Sequence, residues 1–114
     1  MIEIGKDIYY AVNKLKDGGI VGIPTETVYG LGCNALNESS VKKIFKLKSR
    51  PKNDPIICHT NSVEKIRKYV EFFPKNAEIL ARKFWPGPLT ILFRKNKLIP
   101  DITTSKSAYV GFRI

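Results

Sequence analysis

An α/β sheet covered by helices is the fold this sequence predicts. Segments with helical periodicity alternate with short apolar runs, and Gly or Pro punctuates nearly every junction. The 114 residues suffice for one domain and are too few for two of ordinary size. At 43% hydrophobic, with no repeats or low-complexity tracts, the chain has the composition of a globular domain.

The elements follow in order. Between Lys6 and Asp17, Ile8, Ala11, Val12 and Leu15 fall on one helical face. Gly18-Gly19 stops that helix, because glycine takes the left-handed C-cap conformation without strain. Ile20 to Ile23 is a short buried strand that Pro24 closes, since proline gives a ladder no N–H. Val41, Ile44 and Phe45 mark a second helix, with Asn37, Ser39 or Ser40 as its N-cap. Pro51 restricts Arg50, so this helix ends near Ser49. Pro55 to His59 reads as a second strand. In "TNSVEKIRKYV" a third helix turns Val63, Ile66 and Val70 inward, and Pro74 opens a fourth with Ala77, Leu80, Ala81 and Phe84 inward. Trp85-Pro86-Gly87-Pro88 breaks the chain. Leu89 to Phe93 is a third strand and Tyr109 to Ile114 the start of a fourth, with a polar, Lys-rich loop from Arg94 to Ser107 between them. A chain that stops in mid-strand is expected to be a truncated product.

The net charge of +10 attracts polyanions. RNA, nucleotides or an anionic surface all fit it, and so does a lysine-rich face that only keeps the domain soluble. Two cysteines, Cys33 and Cys58, make no disulfide framework, so both read as free thiols in a reducing compartment, the cytoplasm. "MIEIGKDIYY" lacks the apolar core of a signal peptide, and no apolar run approaches the length of a membrane span.

Several chemistries drop out. No G-x-x-x-x-G-K-[ST] and no G-x-G-x-x-G occurs. One histidine and two scattered cysteines do not make a structural zinc site. Cys58 and His59 are neighbours in a predicted strand, so they point to opposite faces and form no thiolate–imidazole pair.

Polar residues at strand ends remain. Thr25, Glu26 and Thr27 follow the first strand, His59 ends the second, and Lys48 and Arg50 lead into it. Ligands of open α/β sheets gather at the carboxyl ends of strands. If the first two strands are parallel neighbours, the first loop and His59 share an edge. An ammonium and a guanidinium suit phosphate or carboxylate, and threonine hydroxyls serve an ammonium or an oxyanion. An amino acid beside a nucleotide would use both. The same residues also have plain structural uses. Lys48 and Arg50 complement a helix C-terminus, Thr25 and Thr27 cap a turn, His59 is a hydrogen-bonded structural residue, and Tyr29 and Trp85 are core.

"IPTETVYGLGCNA", then "KSRPKNDPI" from Lys48, then "FWPGPLTILF", in this order, resemble the YrdC/Sua5 family over essentially the whole chain. The resemblance implies a twisted mixed β-sheet with flanking helices around a basic cavity, residues 1–114 being the N-terminal part of that domain. It implies a nucleotidyltransferase, L-threonylcarbamoyladenylate synthase, which joins L-threonine, bicarbonate and ATP (with magnesium) into threonylcarbamoyl-AMP and pyrophosphate. A partner tRNA threonylcarbamoyltransferase would pass the group to tRNA adenosine. By position, Lys48 and Arg50 look like the family's catalytic K-x-R pair at the ATP phosphates. Thr27, His59 and Arg113 look like its threonine contacts, Arg113 at the carboxylate, and Tyr29 like part of the cavity wall. No tightly bound metal site is implied, and some members are described as binding double-stranded RNA.

Three departures stand out. Asp54 occupies a position beside ATP where the family usually has Asn, and Tyr109 one where Thr is common. The family's later S-x-N motif is not in these 114 residues. Competing expectations are a non-catalytic module for tRNA or double-stranded RNA, an inactive truncated fragment, and the carbamoyl-transfer domain of a hydrogenase-maturation protein.

Overall fold

The computed structural model describes residues 4–25, 27–51 and 53–114. Helix α1, Ile8–Lys16, starts where Asp7 accepts hydrogen bonds from the N–H groups of Tyr9 (3.0 Å) and Tyr10 (3.3 Å). It ends at Gly18, whose φ of +84° is the left-handed conformation expected there. The buried Ser40 hydroxyl donates to Gly18 O at 2.9 Å and so ties the end of α1 to the start of α2, Glu38–Leu47. Asn37 caps α2 by accepting from Ser40 N–H at 3.1 Å, and Val41, Ile44 and Phe45 are its buried face, as the pattern predicts.

Two small sheets form. Strand β1, Val21–Ile23, pairs antiparallel with β2, Gly30–Gly32, in the register Val21↔Gly32 and Ile23↔Gly30. The second sheet has the order β3-β5-β4, built from β3 (Cys58–His59), β4 (Ile91–Arg94) and β5 (Tyr109–Arg113). It is mixed, with β5 parallel to β3 and antiparallel to β4. Helices α3, Val63–Arg67, and α4, Lys75–Phe84, fall between β3 and β4. Cys58, Ile66, Val70, Ala77, Phe93 and Phe112 make the centre of the core, with the Phe93 ring 4.8 Å from Phe73 and 6.3 Å from Phe112. No helix among the described residues is long and apolar enough to cross a membrane.

Several expectations are corrected. The first two predicted strands, β1 and β3, are not partners, because β1 spends its edge on Gly30–Gly32. The predicted 55–59 strand shrinks to Cys58–His59. Pro55 has no N–H to give, and Ile56 N–H goes instead to Thr103 O at 3.1 Å. Helix α3 stops at Arg67, and Val70 leaves it to bridge Lys95. The stretch from Arg94 to Ser107 is not simply a polar loop. Arg94 belongs to β4, and Thr103 and Thr104 are buried with their hydroxyls donating to Ala35 O (2.8 Å) and Ser107 O (2.9 Å). On α1 no residue is fully buried: Ile8 is 74% exposed, and Ala11 and Leu15 are half-buried. On α4, Ala77 and Ala81 are buried, while Leu80 and Phe84 stay exposed.

Candidate functional site

A cavity of about 440 Å³ opens between the β1–β2 hairpin and the carboxyl end of β3. Thr25, Asn34, Cys58, His59, Thr60 and Lys65 line it, with Ile23, Leu31, Cys33 and Ile44 among its apolar walls. Such a volume lies inside the ~300–1,000 Å³ range of small-molecule sites. Thr25 organises the loop that bounds it. Its Oγ1 accepts from the N–H groups of Thr27 (3.3 Å) and Val28 (3.2 Å), donates to Val28 O, and lies 3.3 Å from the Thr27 hydroxyl. Thr27 is exposed and joined to the lining through Thr25. Tyr29, expected in the wall, is 80% exposed and is not part of it. Trp85, read as core, packs half-buried against the core and donates from Nε1 to Leu89 O at 2.7 Å. Glu26, grouped with these threonines in the sequence, lies outside the described residues.

His59 and Arg113 face each other across the ladder, in parallel register, while Cys58 and Phe112 pair one step earlier. The alternation of a strand puts Cys58 and Phe112 in the core and His59 and Arg113 together on the other face. Arg113 is half-buried, and its Nε and Nη2 donate to Thr90 Oγ1 at 3.0 and 2.7 Å.

The predicted phosphate ligands sit elsewhere. Lys48 is the exposed C-cap of α2. Arg50 folds over the following loop. Its Nε donates to Asp54 O (3.1 Å), its Nη2 to Pro55 O (2.9 Å), and Nη2 lies 3.1 Å from Asp54 Oδ1. Neither cation lines the cavity. Tyr109 begins β5, at the opposite end from Arg113 and about 13 Å from it along the strand at ~3.3 Å per residue. The Arg94 guanidinium lies 5.3 Å from the Tyr109 ring centroid. The structure therefore pairs His59 with Arg113 and Thr25 with Thr27, with Thr25 and His59 lining one cavity, while Arg50 pairs with Asp54 outside that lining.

A domain model of Sua5/YciO/YrdC proteins, described as "Telomere recombination", matches residues 13–114. The chain belongs to the Sua5/YciO/YrdC family. A family member from Pyrococcus abyssi, named threonylcarbamoyl-AMP synthase, is 43% identical over 107 residues, which are 94% of this chain and 32% of that protein. One of the same name from Bacillus subtilis is 39% identical over 98 residues, 84% of this chain and 28% of that one. A crystal structure of P. abyssi Sua5 complexed with L-threonine superimposes with a TM-score of 0.89, covering 92% of this chain and 31% of that one. The mixed α/β fold is thus that of the Sua5/YciO/YrdC domain, and the chain spans about a third of the length of these relatives.

Sequence reasoning missed Asn34, Thr60 and Lys65 in the lining. Thr60 was within reach, because it directly follows His59 at a strand's carboxyl end, where ligands of such sheets collect. Both cysteines also line the cavity, free and protonated. Burial raises the Cys33 thiol. Burial, and secondarily the charge of Cys33, push Cys58 up to about 11. Among the described residues, no group of three or more His, Cys, Asp or Glu could hold a metal ion.

Proposed function

We propose that this chain carries the amino-acid-binding part of a threonylcarbamoyl-AMP synthase, taking L-threonine, bicarbonate and ATP. The carrying observation is the cavity of about 440 Å³ between the loop of "PTETVYGLG" and the His59 end of β3. A relative with 43% identity has been crystallised with L-threonine, which supports the choice of amino acid.

In this reading L-threonine sits between the Thr25–Thr27 hydroxyls and His59, with its carboxylate towards Arg113. Its amine adds to bicarbonate to give a carbamate and water. A carbamate oxygen attacks the α-phosphorus of ATP, the bond to the bridging oxygen breaks, and pyrophosphate leaves. Lys48 and Arg50 neutralise the triphosphate, so no nucleophilic side chain is required. The bonds of Arg50 within the 50–55 loop occupy Nε and Nη2, so the phosphate meets Nη1 or displaces Asp54. Asp54 and Tyr109 lie beside the nucleotide, and magnesium enters with ATP, held mainly by phosphate oxygens. The product passes to a tRNA threonylcarbamoyltransferase in the cytoplasm.

Pyrophosphate release from ATP and bicarbonate, measured with and without L-threonine, tests this. Release that depends on threonine supports the synthase, and equal release in both rejects it. The +10 charge favours a second reading, an RNA-binding module without adenylation chemistry. Salt-sensitive tRNA binding without threonine-dependent turnover would select it.

A further inference from the structure

"WPGPLT", residues 85–90, meets the site above through the Thr90 hydroxyl, and the geometry of the segment accounts for where that hydroxyl lies. Gly87 N–H donates to Ile114 O at 2.8 Å, which holds the turn against the end of β5. A Cβ on Gly87 would lie 2.5 Å from Phe84 O, so only glycine fits the turn there. The segment then delivers Thr90 onto the face of β5 that carries Arg113. Gly111 is two residues before Arg113, hence on the same face, and a Cβ there would come 3.0 Å from Thr90 Cγ2. The missing side chain of Gly111 lets the Thr90 methyl lie against the strand. In that seat the Thr90 hydroxyl oxygen receives both Nε–H and Nη2–H of Arg113, at 3.0 and 2.7 Å.

We propose that Thr90, seated on Gly111, is the positioning residue for Arg113, fixing its guanidinium beside His59 to receive the carboxylate of an amino acid. Arginine has several rotatable bonds, and freezing them before the ligand arrives lowers the entropy lost on binding. A hydroxyl suits the task because it accepts two N–H groups without adding a negative charge that would compete with the ligand's carboxylate. The last clause of the proposal rests on the reading of Arg113 as the carboxylate contact, and the experiment separates the two.

The probe is L-threonine, titrated calorimetrically into the 114-residue chain carrying Thr90→Val, Thr90→Ser, Arg113→Ala or no change. The Arg Nε–H resonances of each are followed by ¹⁵N NMR. Thr90→Val keeps the shape and removes the acceptor, and Thr90→Ser keeps the acceptor and removes the methyl. Thr90→Val is expected to move the Arg113 Nε–H resonance, speed its exchange and weaken threonine binding about tenfold, the loss of about one charge-assisted hydrogen bond. Thr90→Ser is expected to restore the resonance and most of the affinity. An Arg113 Nε–H signal that is the same in Thr90→Val and the unchanged chain overturns the positioning role, whatever the affinity does. If instead that signal moves while Arg113→Ala binds threonine as well as the unchanged chain, the positioning role stands and the carboxylate reading falls. Should Thr90→Val not fold, Thr90→Ser and Gly111→Ala decide. The first must keep the Arg113 signal and the second, by pushing Thr90 off the strand, must shift it.

Discussion

Arg50 and Asp54, four residues apart in the sequence, form an ion pair. Nη2 stands 3.1 Å from Oδ1, while the same guanidinium also binds the carbonyls of Asp54 and Pro55. The pair gives Asp54 a structural role, since its carboxylate offsets the charge of Arg50. It is partly exposed, so its own stabilisation is small, about 0–1 kcal/mol. That separates structure from chemistry. Asp54→Asn is expected to move the urea midpoint by no more than such a pair is worth, and to leave pyrophosphate release equal or faster, because a carboxylate beside a triphosphate is lost. Arg50→Ala is expected to slow threonine-dependent release by about a hundredfold or more, the scale of removing one transition-state donor. Comparable initial rates for Arg50→Ala and the unchanged chain would reject the phosphate role.

The two thiols report on the cavity. Cys58 is buried with its pKa near 11, whereas Cys33 is half-exposed on the same wall. Because the thiolate is the reacting form, iodoacetamide at pH 8 is expected to label Cys33 well before Cys58. Saturating L-threonine should slow the Cys33 labelling several-fold. Mass spectrometry of the two peptides over time reads both effects, and an unchanged Cys33 rate would place the amino acid elsewhere.

What the sequence makes legible follows from which forces act locally. Val41, Ile44 and Phe45 occupy their predicted face because α2 is long enough for its period to show and is packed on that side. The strand β2 is invisible because Gly30-Leu31-Gly32 has almost no strand propensity, and its pairing comes from the hairpin that returns it to β1. Thr103 and Thr104 look like loop residues because their burial depends on carbonyls at Ala35 and Ser107, the first of them 68 residues away. The site divides in the same way. The family resemblance names His59 and Arg113 as two contacts of one ligand, and the structure makes them neighbours through a parallel pairing that no local pattern encodes. The resemblance gave no hint that Arg50 folds onto its own loop or that Thr25, not Thr27, meets the cavity.

Ser49 ends α2 in a left-handed conformation, φ +49°, with Arg50 N–H reaching back to Phe45 O at 2.9 Å. This is the helix terminus at which glycine is usual, because a Cβ is strained there. Ser49→Gly is expected to stabilise the fold by about 0.5 kcal/mol or more, the relief of strain exceeding the added freedom of the unfolded chain. Ser49→Val should destabilise by more than about 1 kcal/mol, since a β-branched residue tolerates that region least. Thermal midpoints of the two variants moving in the same direction would contradict the argument.

Cys58 makes stability fall in alkali. Its folded pKa of about 11 lies above the ordinary 9.0, so the folded state holds a proton that the unfolded chain releases. Its contribution is therefore whole below pH 9 and fades as pH rises through about 11. At about 1.4 kcal/mol per pKa unit, the thiol accounts for a loss of about 2 kcal/mol by the top of that window. Cys58→Ala is less stable at neutral pH because it leaves a small void in the core, but it has no proton to lose. Lysine and tyrosine titrations are common to both proteins, so the difference between them isolates the thiol. Urea unfolding at pH 8 and pH 11 is expected to narrow the gap between the two proteins by about 2 kcal/mol. A gap that stays constant would mean that Cys58 ionises in the folded protein as readily as in the unfolded one, and that the wall beside His59 is wetter than its 6% exposure indicates.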